Sequence, residues 1–247
     1  MAHPLSVQLY SVRDLITDDR DGVLRRIAQI GYGAVEPYNP LDDPKGFRRV
    51  AEDLGLAVSS AHAIALVRQE PGPVFEAAAT LGTDMIILPA GIDEKEFTTR
   101  DGLARAADLL NRLAAQAAGF GLRFGYHNHW WEFEPLIDGR HALEVLADLT
   151  APEVLFEVDT YWAAVGGARV PDVLRRLGEK VFALHVKDGP MVKGEPHTAV
   201  GKGAMAVPEI LAASPDAWRI VELDSCATDI FEALADSRAY LIGLEST

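Results

Sequence analysis

Side chains that can bind a metal ion or move a proton stand at the ends of four strand-like runs of this 247-residue chain. Each run begins with apolar residues and closes with histidine, aspartate or glutamate. Unpaired polar groups are costly in an apolar strand, so the pattern indicates that the four ends converge around a charged group, and a divalent metal is the simplest candidate. The runs are RFGYHNHWWE, VLFEVD, VFALHVKD and RIVELD, at residues 123–132, 154–159, 181–188 and 219–224.

Every second side chain of a strand lies on the same face, and each run places two chemistry-bearing residues two positions apart. Such a mixture of carboxylates with imidazole suits Mn²⁺, Mg²⁺ or Co²⁺ better than a structural zinc site, which prefers Cys and His. Capping of the next helix is the alternative for a single acid, and an internal ion pair is the alternative for Glu157 with Lys187. The pairs are His127 with His129, Glu157 with Asp159, His185 with Lys187, and Glu222 with Asp224.

Eight strand-like runs recur along the chain, and helical periodicity fills the segments between them. Glycine stands at five of the helix-to-strand junctions, where a helix C-terminus favours it. This alternation predicts βαβ units that close into a (β/α)₈ TIM barrel, with an open doubly wound sheet as the alternative, and one domain over residues 1–247. The predicted strands are Leu5–Tyr10, Ala34–Pro37, Leu56–Ala61, Met85–Pro89, Leu122–His127, Val154–Val158, Val181–Val186 and Ile220–Leu223.

The formal charge of −14 opposes nucleic-acid binding and binding to an anionic membrane surface, because both need clusters of Lys and Arg. No run approaches the roughly 18 apolar residues of a membrane span, and the N-terminus lacks the pattern of a signal peptide. The single cysteine, Cys226, excludes an intramolecular disulfide. We therefore expect a cytoplasmic protein, and a homo-oligomer is compatible with these features.

Aromatic residues are concentrated at or just after the predicted strand ends, where their rings would form a stacking wall for a sugar. His62 ends the third strand and is a candidate to line the same pocket, and the irregular stretch 189–203, which contains His197, follows the seventh strand on the face where barrel active sites form. The aromatic residues are Tyr10, Tyr38, Tyr126, Trp130, Trp131, Phe133, Tyr161 and Trp162.

The chain resembles the sugar phosphate isomerase/epimerase superfamily, the xylose isomerase-like TIM barrels, over essentially its whole length. Within it, YHNHxxEF resembles the branch with inosose dehydratase-like and keto-sugar-acting members. The motifs are VQLYSVRD (7–14), GAVEPY (33–38), SSAH (59–62), YHNHWWEF (126–133), FEVDTYWAAVGG (156–167), LHVKD (184–188), VGKG (200–203) and IVELD (220–224).

The resemblance implies a metal shell of Asp159, His185 and Glu222, with Glu132 as the fourth ligand and His127 or His129 as its competitor. Mn²⁺ is the expected ion, and Mg²⁺, Co²⁺ and Zn²⁺ are the alternatives. Many relatives carry a histidine three residues after the aspartate, where this chain has Trp162.

The implied reaction is isomerisation or epimerisation of a keto-sugar or polyol ketone through an enediolate. The alternatives are a dehydratase or lyase of the inosose dehydratase-like or 3-keto-glycoside-cleaving kind and, more remotely, a non-catalytic sugar-binding barrel or a subunit of a larger enzyme. The expected proton-transfer pair is Glu132 and Glu222, with His127, His129 and Lys187 as further catalytic candidates. The expected substrate contacts are His62, Tyr10, Glu36, Trp131, Trp162 and His197.

Overall fold

A computed structural model describes residues 3 to 245, so the first two and last two residues of the expected 1–247 domain lie outside the described residues. Nine parallel strands of this part form a nearly closed sheet in the order β3-β2-β1-β11-β10-β9-β6-β5-β4, and β7 and β8 form a separate antiparallel hairpin. The strands are β1 Ser6–Gln8, β2 Ala34–Glu36, β3 Ala57–Val58, β4 Ala61–His62, β5 Met85–Leu88, β6 Arg123–His127, β7 Leu136–Ile137, β8 Arg140–His141, β9 Val154–Asp159, β10 Val181–Val186 and β11 Trp218–Val221.

Helices connect the strands around the outside of the barrel, as the alternation predicts. No helix between residues 3 and 245 is both long enough and apolar enough to cross a membrane. The helices are α1 Arg13–Ile16, α2 Arg20–Ile30, α3 Pro44–Asp53, α4 Pro71–Leu81, α5 Arg100–Ala118, α6 Ala142–Leu149, α7 Thr160–Val165, α8 Val170–Leu177, α9 Val207–Ala213 and α10 Ile230–Glu245.

The predicted TIM barrel is confirmed, but its third strand is split. Two serines interrupt the run predicted as Leu56–Ala61, so that β3 pairs with β2 and β4 pairs with β5. The Ser59 hydroxyl lies 2.9 Å from that of Ser6, and the Ser60 hydroxyl donates to Glu36. The nine strands therefore occupy eight barrel positions.

Hydrophobic periodicity correctly identifies the outer layer. The apolar face of α5 is buried against the sheet at Leu103, Ala107 and Leu110. The helices α2 and α4 each end at a glycine with a positive φ, +102° at Gly31 and +91° at Gly82, a conformation that costs other residues free energy. These ends return the chain to the next strand.

Candidate active site

A cavity of about 640 Å³ opens at the carboxyl ends of the parallel strands. In a TIM barrel this is the face where catalytic residues collect, because eight strand ends and their loops meet there. Polar and aromatic residues line it together: Tyr10, Arg13, Tyr38, His62, Ile64, Arg68, Pro89, Ala90, His127, His129, Trp130, Trp162, Lys187, Glu222 and Asp224.

Four metal-capable side chains meet at this cavity, and we call them the outer ligand set: His127, Asp159, His185 and Glu222. One ligand atom from each lies within 4.8 Å of the others, and all four residues are buried. Strand register places them, since His185 on β10 is the pairing partner of Asp159 on β9. Two imidazoles and two carboxylates form a donor set that suits a divalent cation.

The ammonium of Lys187 lies between the carboxylates of this set. Its Nζ is 2.8 Å from Asp159 Oδ2, 2.7 Å from Glu222 Oε2 and 2.9 Å from Asp224 Oδ2. Burial alone would lower the pKa of Lys187, but the charges of these carboxylates raise it well above its ordinary value. The alternative interpretation, an ion pair between Lys187 and Glu157, is wrong, because Glu157 contacts histidines instead.

The carboxylate of Asp159 divides its two oxygens between two roles. Oδ1 accepts the Trp162 backbone N–H at 2.9 Å and so caps α7. Oδ2 is buried and accepts no hydrogen bond of suitable geometry, although it lies beside Lys187 Nζ. A capping role and a ligand role are therefore compatible here, because Oδ1 caps the helix while Oδ2 faces Lys187 Nζ and His127 Nε2.

Burial and neighbouring charges also set the protonation of the two histidines in the outer ligand set. Burial would lower the pKa of His185, but Glu157 and Glu222 raise it well above its ordinary value. Burial and the charge of His185 hold the pKa of His127 well below its ordinary value. His127 is therefore neutral, as a metal ligand must be, whereas a cation that binds His185 must displace a proton.

A second group of polar side chains, which we call the inner cluster, consists of His62, His127, Glu157 and His185. Glu36 adjoins it, with Oε2 2.8 Å from His185 Nε2 and 2.7 Å from Gln8 Nε2. Glu36 is fully buried and does not line the cavity, although it was expected to contact the substrate. His62 belongs to the inner cluster and also lines the cavity.

Glu132, expected as the fourth ligand, is not brought into the outer ligand set, and His127 is there instead. Glu132 lies in the turn after β6, where its carboxylate accepts the Tyr126 hydroxyl at 2.6 Å and the His129 backbone N–H at 2.8 Å. These bonds hold it fully buried in the wall of the barrel. The resemblance had assigned Glu132 with His127 or His129 as its competitor, and the turn after β6 holds Glu132 away from the set that His127 joins.

The expected substrate contacts also divide. Tyr10 and Trp162 line the cavity, as do Tyr38 and Trp130, whereas Trp131 does not line it and stacks on His129 with ring centroids 4.0 Å apart.

His197, which was expected to contact the substrate, is buried outside the cavity. Its Nδ1 accepts the Asp224 backbone N–H at 3.2 Å, and it does not line the cavity. It therefore anchors the long stretch after β10.

Two cationic residues of the cavity wall, Arg13 and Arg68, were not anticipated from the sequence. Arg13 follows β1 within the VQLYSVRD motif, and its guanidinium donates to the Tyr10 carbonyl at 2.9 Å. Its position just past a strand end was the available signal.

Comparison with known proteins agrees with this architecture. The family model described as xylose isomerase-like TIM barrel matches residues 24–230. No curated protein matches the sequence.

Among solved structures, a sugar phosphate isomerase/epimerase from Parabacteroides distasonis is 25% identical with a TM-score of 0.77, over 98% of this chain and 94% of that one. An L-ribulose 3-epimerase is 17% identical with a TM-score of 0.67, over 100% and 95%. An IolI protein with a bound zinc atom is 15% identical with a TM-score of 0.75, over 99% and 98%.

Proposed function

This chain belongs to the xylose isomerase-like TIM barrel family, and from that premise we propose that it is a metal-dependent isomerase or epimerase of a keto-sugar or polyol ketone. The reaction would proceed by removal of a proton next to the carbonyl. The observation that carries the proposal is the outer ligand set at the base of a cavity of about 640 Å³ at the catalytic face of the barrel.

His127, Asp159, His185 and Glu222 would hold the metal. A divalent cation bound there would act as a Lewis acid on the substrate carbonyl and stabilise the negative charge of an enediolate. Carboxylate ligands favour Mn²⁺ among the candidates, whereas the zinc of the IolI neighbour and the two imidazoles keep Zn²⁺ as the alternative.

The aromatic side chains of the cavity give it the character of a sugar site. Tyr10 and Tyr38 meet edge to face with centroids 5.5 Å apart, and Trp130 and Trp162 lie 5.0 Å apart. Such rings present apolar faces to the C–H groups of a sugar, while the polar residues between them bind its hydroxyls. A small sugar is therefore the proposed substrate class.

We assign proton removal to His129 and stabilisation of developing negative charge to Lys187, whose raised pKa keeps it charged. His129 lines the cavity outside the outer ligand set, and an imidazole can both take and return a proton. Glu222 is less suited to be the base than the sequence suggests. Burial would raise its pKa, but Lys187 and His185 hold it well below the ordinary value.

A lyase reaction is the second candidate, and the position of Lys187 favours it. The same enediolate can lose a β-hydroxyl as water if His129 returns the proton that it removed, and the ammonium at the cavity can stabilise the charge of the leaving group. Product analysis separates the two reactions, because a dehydrated product contains a new double bond and an epimer does not.

The first test removes a ligand without changing its size. Asp159→Asn and Glu222→Gln should each lose bound manganese, measured by elemental analysis after dialysis, and lose turnover about 10³-fold with a panel of keto-sugars and inososes. Glu144→Gln is the matched control, because Glu144 is a buried carboxylate that pairs with Arg176 away from the cavity. Full metal content and full turnover in both ligand variants would contradict the proposal.

The second test concerns the base. His129→Gln should bind manganese as the native protein does but exchange the substrate α-proton with D₂O at least about 100-fold more slowly. Proton NMR of the substrate measures this exchange directly. Unchanged exchange would move the role of base to another residue of the cavity.

A further inference from the structure

We propose that Glu157, which lies outside the outer ligand set, selects the ring nitrogen through which His127 binds the metal and, together with Glu36, the one through which His185 does. The inference rests on the metal site of the proposed function. Glu157 would be a positioning residue, since it touches the two histidines and does not line the cavity.

Strand register brings the three side chains together. Glu157 is on β9, between β6 with His127 and β10 with His185, and it is the pairing partner of His127. Its Oε2 lies 3.0 Å from His127 Nδ1 and 3.1 Å from His185 Nε2. All three residues are at most 5% exposed, so water does not compete for these bonds.

A carboxylate accepts hydrogen bonds and has no hydrogen to donate. Nδ1 of His127 must therefore carry the hydrogen that Glu157 accepts. Nε2 of His185 must carry one too, which Glu36 accepts at 2.8 Å with Glu157 Oε2 at 3.1 Å beside it. The opposite nitrogens face the outer ligand set, with His127 Nε2 3.9 Å from Asp159 Oδ2 and His185 Nδ1 2.7 Å from Glu222 Oε2. These are the atoms left to bind a cation, a carboxylate–histidine–metal arrangement that Glu157 makes with His127 and that Glu36, beside Glu157, makes with His185.

No other carboxylate within residues 3–245 makes both contacts. Glu36 reaches His185 Nε2 at 2.8 Å and His62 Nε2 at 3.4 Å but has no ion-pair contact with His127. Glu222 contacts His185 alone of the two. Glu157 is therefore the residue whose loss would release His127 to either tautomer.

A cation bound inside the inner cluster is the competing interpretation, with Glu157 itself as a ligand. The distances favour hydrogen bonds. Oε2 of Glu157 already accepts hydrogen bonds from His127 Nδ1, at 3.0 Å, and from His62 Nε2. The outer ligand set, in contrast, already encloses the positive charge of Lys187.

Nitrogen NMR of ¹⁵N-histidine-labelled, metal-free protein tests the tautomers. In the native protein, the His127 hydrogen should be on Nδ1, and in Glu157→Gln it should redistribute between the two nitrogens. Glu36→Gln is the matched control, because that change affects His185 and should leave His127 as in the native protein.

Titration with manganese, followed by calorimetry, should show affinity falling about 10- to 100-fold in Glu157→Gln, the usual effect of losing such a partner. Thermal unfolding of the metal-free variants separates this loss from instability. If the variant does not fold, the native spectrum still decides, because a His127 hydrogen on Nε2 would overturn the inference.

An anomalous map with the metal on Nδ1 of His127, or with Glu157 as a ligand, would also overturn it. A native protein that binds no cation would instead refute the proposed function, while the tautomer measurement would remain valid. The two failures are therefore distinguishable.

Discussion

The two ends of the barrel interior are built from the same strands but differ in chemistry. At the amino ends of the strands, five apolar residues form a small cluster of their own: Met85, Ile87, Phe182, Ala183 and Ile220. At the carboxyl ends, charged residues replace them within one step of strand alternation, since Ala183 precedes His185 and Ile220 precedes Glu222 by two positions. We call the apolar amino end the lower end and the charged carboxyl end the upper end. The lower end closes the barrel, and the candidate active site lies at the upper end.

Apolar packing at the lower end strengthens the electrostatic interactions at the upper end. The apolar cluster keeps water out of the lower end, so the charged groups have mainly each other as partners. Lys187 therefore stays charged although it is 1% exposed. Coulombic interactions are strong in such surroundings, and an unpaired charge there is costly.

The largest expected effect comes from removing the charge of Lys187 at the upper end. Lys187→Met leaves Asp159 and Glu222 without their cation, and loss of one partner from a buried ion pair costs about 3–5 kcal/mol. We expect the free energy of unfolding of the metal-free protein, measured by urea denaturation, to fall by that amount.

Manganese should restore part of this stability, because a bound cation replaces the missing charge and favours the folded state. Glu144→Gln, distant from the cavity, serves as the control and should show no such rescue. If Lys187→Met were as stable as the native protein without metal, the three ion pairs at the upper end would not contribute as described.

The next largest effect comes from shortening a side chain of the apolar cluster at the lower end. Ile220→Ala removes most of a fully buried side chain from the apolar cluster and should cost about 3 kcal/mol of unfolding free energy. Ile220→Val should cost only about 1 kcal/mol. Manganese affinity should not change in either variant, and a large loss of affinity would show that the two ends are coupled.

The smallest effect concerns pH and is confined to the upper end. Burial and the charge of Lys187 lower the pKa of His197 from 6.5 to about 4. As pH falls below about 6.5, the unfolded chain binds a proton at His197 that the folded chain does not bind, so this residue's contribution to stability is lost towards pH 4 and is constant above pH 6.5.

Urea denaturation of the native protein and His197→Gln across this range checks the sign. The native protein should lose stability more steeply on acidification than the variant does, and the two curves should run parallel above pH 7. Parallel curves throughout would mean that His197 titrates in the folded protein as it does in the unfolded chain.

Some residues show why the sequence predicted the fold better than the details of the site. Alternation along β9, β10 and β11 correctly placed Asp159, His185 and Glu222 together, because the period of a strand is fixed by its backbone. Glu132 lies in a turn, where no such period applies. Its hydrogen bonds to Tyr126 and to the His129 backbone could not be read from spacing.

The split third strand has a similar cause. Hydrophobicity predicted one run, but the hydroxyls of Ser59 and Ser60 bond to Ser6 and Glu36, which lie on other strands. Such partners come from distant parts of the chain and become visible only when the barrel is assembled.

The order of apolar and polar residues along the chain was sufficient to predict a barrel and the rim at which its acids and imidazoles collect, and short motifs carried the resemblance to its family. Tertiary structure alone decided that His127 rather than Glu132 joins the outer ligand set, that Lys187 lies among three carboxylates, and that one glutamate contacts two histidines. The reason is physical: strand periodicity is local, whereas the partner of a buried charge is set by which strands become neighbours.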